Sequence, residues 1–183
     1  MPFAAVLDAC VLVPAALRDI LLRAAERGLY RPVWNRAILD ELRAALCSKV
    51  NIPEARVAHL LRAFEEAFPE ALVEEATELD PTPLAAPGDA HVVAAAIAGE
   101  AQVIVTINVR DFRSEALARL GVDLRTPDQF LQDLFRLDPG LMVEVLEGQA
   151  ADLQNPPKST AEVLQALRRW APGFVEAVAE QLS

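Results

Sequence analysis

The sequence has no apolar run that reaches the ~18–20 residues of a membrane span. Its N-terminus lacks a basic stretch followed by an apolar segment and a cleavage site, so no signal peptide is expected. Only two cysteines occur, Cys10 and Cys47, too few and too far apart for a disulfide framework or a metal knuckle. They are expected to be reduced, buried thiols in a cytoplasmic protein. Aromatic residues make up 5% of the chain, so a core must be built from Ala, Leu and Val. No glycine follows the first apolar run before Gly28, which excludes a dinucleotide-binding turn. A second acid two places after Asp8, as a dehalogenase-type phosphatase would need, is also missing; that place is Cys10.

What is present is a 53% hydrophobic chain of 183 residues, enough for one domain and a small appendage. Its net charge of −10 is unevenly spread. Residues 1–62 carry +3 and residues 63–183 carry −13. The basic third could face a polyanion, or it could be an ordinary solvated surface.

Phe3 to Leu7 reads as a buried strand that delivers Asp8 to its tip. Pro14 opens a helix that Gly28 ends. Tyr30–Val33 is extended, Asn35 caps a helix over 36–48, and Pro53 opens another that reaches about Phe68. Leu72-Val73 is a candidate short strand, and residues 77–87, with three prolines, are loop. In the segment GDAHVVAAAIAGEAQVIVTINVRDF, apolar residues recur from Ala90 to Ala98 with helical period. Gly99 stops that run, and Val103–Val105 forms a β-branched strand. Thr106, Asn108 and Asp111 follow it. A short helix, a strand over 122–125 and a helix to Leu137 come next. Strands alternating with helices argue for a mostly parallel α/β sheet over residues 1–137. Residues 138–183 are expected to be an all-helical extension, too small to hold a core alone. Leu141, Val145, Val163, Leu167, Phe174 and Val178 give it an apolar side that suits the α/β body, a dimer contact or a partner segment.

Asp8, Glu41, Asp89 and Asp111 stand at strand tips, a helix start and a helix face, positions that share one rim in a parallel sheet. Converged carboxylates raise one another's pKa and need a cation to stay ionised together. Hard Mg²⁺ or Mn²⁺ fits oxygen donors, and such ions support displacement at phosphorus. Taken singly, each has a blander role: Asp89 as a helix N-cap, Glu41 as a surface acid, Asn108 and Asp111 as turn residues. His59 and His91 read as ordinary helix residues, Trp34 and Trp170 as packing.

The set LDACVLVP, ILDELRAAL, GDAHVVAAAIAGEA and VIVTINVRDF resembles, in order and spacing, the PIN domain, and within it the bacterial VapC-type toxins. The tail, with TPDQFL before it and NPPKST within it, is similar to the extra C-terminal region of one VapC-like subgroup. The resemblance implies a three-layer α/β/α fold with a helical extension and an Mg²⁺- or Mn²⁺-dependent endoribonuclease. It also implies an RNA substrate, a small VapB-like antitoxin, a homodimer and no membrane. Carried over by residue, it makes Asp8, Asp89 and Asp111 metal ligands, Glu41 a ligand or general base, and Thr106 and Asn108 supporting groups. Arg18, Arg36 and Arg43 become candidates for contact with RNA. One departure stands out: Ala9 and Cys10 replace the small polar residue and Asn that usually follow the first acid. Fewer hydrogen bonds are then expected on Asp8. A silent PIN fold that binds protein is the alternative.

Overall fold

A computed structural model describes residues 2–74 and 79–183, so the loop expected over 77–87 begins outside the described residues. Four short parallel strands form one sheet: β1 (Ala4–Leu7), β2 (Arg31–Val33), β3 (Val103–Val105) and β4 (Asp123–Arg125). Their order is β2-β1-β3-β4. The chain leaves β1 toward one edge and returns to the other, so the strand order reverses between β1 and β3. Open α/β sheets form a crevice beyond the strand tips at such a point. Leu7 pairs with Val105, which sets Asp8 and Thr106 side by side at its floor.

Helices flank the sheet: α1 (Ala9–Leu12), α2 (Ala15–Glu26), α3 (Arg36–Ser48), α4 (Glu54–Ala67), α5 (Ala90–Ala98), α6 (Ser114–Arg119) and α7 (Pro127–Leu137). This is the expected α/β/α architecture. The four-residue α1 is an addition; the apolar run Val11–Val13 turns helical just after Asp8 and does not extend the strand. Leu72 makes one parallel bridge to Trp34 and belongs to no strand. The few aromatics are concentrated: Tyr30 and Phe130 meet edge to face at 5.0 Å, and Trp34 lies against Phe64 and Phe68.

The tail forms α8 (Pro139–Asp152), α9 (Thr160–Leu167) and α10 (Pro172–Leu182). Its apolar side packs on the body. Helix α8 lies on α2, α9 on α2, and α10 on α7. Val145, Val163, Leu167, Phe174 and Val178 are buried in the same core as the sheet, and Leu141 packs at its edge. Buried Gln149 on α8 donates to the Ala16 carbonyl at 3.0 Å. Asp128 on α7 accepts from the first amides of α10, Phe174 N at 2.8 Å and Gly173 N at 3.3 Å. A Cβ on Gly173 would come within 3.0 Å of the Asp128 carboxylate, so glycine lets the two helices approach. Acids of the tail also neutralise the basic N-terminal third: Asp152 pairs with Arg23 and Glu144 with Arg27.

Phe174 is fully buried against Phe135. Phe174→Ala is expected to cost about 3–5 kcal/mol. Urea unfolding should show one transition at lower midpoint. An unchanged midpoint would mean that the tail is not part of the core.

Candidate active site

Asp8 follows β1 with extended backbone, and its amide donates to Val105 O, which locks the tip of β1 to that of β3. Its side chain is 3% exposed. The buried Thr106 hydroxyl donates to Asp8 Oδ2 at 2.7 Å while accepting from Asn108 N at 3.0 Å. The Cys10 thiol reaches the same Oδ2 at 3.4 Å, and Ile107 N donates to its sulfur at 3.4 Å. Cys10 is therefore a partner of Asp8. The thiol thus takes up one of the hydrogen bonds expected to be missing on Asp8, while Ala9 can supply none. Both cysteines are half-buried. Burial first, then the charge of Asp8, pushes the Cys10 thiol up to about 11, so it stays protonated and able to donate.

Asp89 occupies the N-cap position of α5, yet its side chain makes no capping hydrogen bond. The structural explanation for an acid there thus fails, and the carboxylate is left for the crevice. Glu41 lies on the exposed face of α3 and meets His91 of α5, with Oε1 3.1 Å from Nε2. Nε2 has no hydrogen-bond partner by geometry, so the contact is a close approach that becomes an ion pair only when the ring is protonated. Asn35 fixes this juxtaposition. Its Oδ1 caps α3 at Ile38 N, and its Nδ2 donates to the His91 carbonyl at 2.9 Å, tying the helix of Glu41 to that of Asp89. Sequence reasoning saw Asn35 only as a cap and His91 only as a helix residue. No periodicity or spacing signals a contact between α3 and α5.

Asp111 ends a single 3-10 turn over Val109–Asp111 and is exposed, as is Asn108. The Asp111 carbonyl accepts from Ala86 N, which holds this turn beside the approach to Asp89.

The four acids act on one another. Desolvation raises the Asp89 pKa most, and the charges of Asp8 and Asp111 add to it. Desolvation also raises Glu41 most; His91 opposes this, and Asp8 and Asp89 reinforce it. Among the described residues no Lys or Arg forms an ion pair with Asp8, Asp89 or Asp111. The side chains are not drawn onto one point: no three acidic, His or Cys side chains among the described residues stand at ligating distance of a common centre. The donor set is nevertheless rich in oxygen and anionic, with His91 beside Glu41 and no Lys or Arg paired with the other three acids among the described residues, which suits a hard divalent ion. Of the candidate RNA contacts, Arg18 donates to Leu12 O and Val13 O, Arg36 pairs with Glu65 and Arg43 with Glu54.

A model of the PIN domain matches residues 4–110, from β1 through the turn that leads to Asp111. The chain belongs to the PIN-domain family. A second model, described as the VapC50 C-terminal domain, matches residues 127–180, from α7 into α10. The chain is also 35% identical over 86 residues to a protein named "Putative ribonuclease VapC50" from Mycobacterium tuberculosis (strain ATCC 25618 / H37Rv). That alignment covers 47% of this chain and 51% of the relative, so the chain spans about half the length of the protein it matches. The PIN match contains Asp8, Glu41, Asp89, Thr106 and Asn108.

The raised carboxyls give a sign for pH dependence. Both Glu41 and Asp89 hold protons more tightly folded than unfolded. In the metal-free protein they therefore oppose folding above their raised pKa values, and that opposition fades as pH falls toward the unfolded-state values. A Glu41→Gln/Asp89→Asn double variant should melt higher than wild type at pH 7, and the gap should shrink toward pH 4. A gap that widens on acidification would contradict the repulsion.

Proposed function

We propose that this PIN-domain chain is a divalent-metal-dependent endoribonuclease and the toxin of a VapBC-type pair. The observation that carries the reading is the closeness of four acids near the tips of β1 and β3: Asp8 and Asp111 add to the raised pKa of Asp89, Asp8 and Asp89 add to that of Glu41, and among the described residues no Lys or Arg pairs with Asp8, Asp89 or Asp111. Asp8, Asp89 and Asp111 would hold Mg²⁺ or Mn²⁺, with Glu41 a fourth ligand or the base. The ion supplies charge neutralisation at phosphorus and a more acidic water. Within the chain, Thr106 and Cys10 fix one oxygen of Asp8 and leave the other free. Glu41, whose pKa burial raises above the ordinary carboxyl value, would take a proton from water, with His91 beside it. Asn108, exposed beyond the end of β3, would hydrogen-bond a phosphate.

The alternative of a silent, protein-binding fold rested on Ala9 and Cys10; the bond from Cys10 to Asp8 weakens that support. The name of the relative supports RNA as substrate and a VapB-like partner. No helix among the described residues is long and apolar enough to cross a membrane; a cytoplasmic location is part of the proposal. The residues 138–183 extension and a homodimer complete the proposal.

Expression together with any small protein encoded beside it provides the test. That protein should copurify and block Mn²⁺-dependent RNA cleavage. A free chain that cleaves no RNA in Mn²⁺ would overturn the reading.

A further inference from the structure

Beside the acid cluster lies a separate cavity of about 450 Å³ between α1 and α3. Its lining is Ala9, Val13, Ala44 and Ala45, with Ser48 and Lys49 at one end and Cys10 and Glu41 at the other. Glu41, Ala44, Ala45 and Ser48 follow one face of α3 at spacings of three and four residues. The floor is thus made of methyl groups, and the two ends are polar. Cys10 and Glu41 belong also to the acid site, so anything seated here is within reach of a phosphate held there. Lys49, just past the end of α3, forms no ion pair among the described residues. The three arginines considered for RNA are all engaged elsewhere. The Ser48 hydroxyl donates to Ala44 O and keeps its oxygen lone pairs for an incoming donor.

We infer that this cavity is a nucleobase subsite for a single-stranded RNA substrate, seating the base next to the scissile phosphate. An acid cluster repels a polyanion, so a strand needs apolar contact and a cation nearby to stay engaged. The α1/α3 cavity supplies the first through its alanine floor and the second through Lys49. Its size falls in the range of small-ligand pockets. Because no aromatic ring lines it, the base is held by shape and edge contacts, which gives a modest preference among bases. The inference rests on the nuclease reading and names where its substrate lies.

Two measurements test it separately from that reading. Methyl NMR in Mg²⁺ buffer follows the alanine methyls during titration with adenosine 5′-monophosphate and, in parallel, inorganic phosphate. The methyls of Ala9, Ala44 and Ala45 should shift with the nucleotide and stay still with phosphate. In cleavage assays on a single-stranded oligoribonucleotide, Ala45→Leu fills the cavity and should raise KM about tenfold, the low end of what an extra methylene in a pocket is worth, with kcat nearly unchanged. Ser48→Leu, at the exposed mouth, repeats the test without touching the core, and Lys49→Ala should raise KM and flatten the salt dependence.

If wild type cleaves RNA while the methyls and KM stay unmoved, the subsite is wrong and the nuclease reading stands. If wild type cleaves nothing, that reading falls and the methyl titration alone decides whether a nucleotide binds here. If the cavity-filling variants spare KM but prevent capture of the neighbouring small protein, the cavity is a protein contact and the inference is overturned.

Discussion

Asp89→Asn should lower Mn²⁺-dependent RNA cleavage by about two orders of magnitude or more. The substitution keeps the size of the side chain and removes one charge. It breaks no cap, because the Asp89 side chain makes no capping bond. It also relieves repulsion from Asp8 and Asp111. The variant should therefore fold at least as well as wild type, and a lost activity will report on chemistry. The measurement is the initial cleavage rate in Mn²⁺, with a chelator blank for each preparation to expose contaminating nuclease. A rate within threefold of wild type would remove Asp89 from the site.

Saturating Mn²⁺ should raise the melting temperature by about 5–10 °C. An ion at a hundred times its Kd adds about 2.7 kcal/mol to the folded state, and a domain of this size gains roughly 2–4 °C per kcal/mol. Asp8→Asn should abolish that rise. It removes the charge of the most buried of the four acids and leaves one acceptor oxygen, which Thr106 and Cys10 can still occupy, so no oxygen remains for the ion. A silent protein-binding fold predicts no response to Mn²⁺ in either protein, so thermal scans with and without the ion separate the two readings.

The sheet was legible because β-branched runs and glycine stops mark its strands: Val103–Val105 after Gly99 is the clearest case. The positions of Asp8 and Asp89 were legible because an alternating α/β chain puts a residue at a strand tip and another at a helix start, where the structure has them; Glu41, in the middle of α3, carries no such signal. The tail helices were also readable from helical spacing of apolar residues, such as Val163 with Leu167, and the structure adds a capping box of Ser159 with Glu162 at the start of α9. Where the tail goes was not readable. Helical period shows that Phe174 and Val178 share a face, but only tertiary packing shows that the face meets α7. The same limit hid the support of Asp8. Cys10 is two residues away in sequence, but its role depends on Ile107 and Thr106, which arrive from another strand. Likewise the contact of His91 with Glu41 requires the crossing of α3 and α5, fixed by a single asparagine that local reasoning assigns to capping alone.

The most direct test of a shared divalent-ion site is a crystal of this chain grown with Mn²⁺ and measured at the manganese absorption edge. The account predicts an anomalous peak in the β1/β3 crevice, bounded by carboxylate oxygens of Asp8, Asp89 and Asp111 with Glu41 alongside. A fully Mn²⁺-loaded crystal with its anomalous density elsewhere, and with Asp8 still bound only to Thr106 and Cys10, would contradict it.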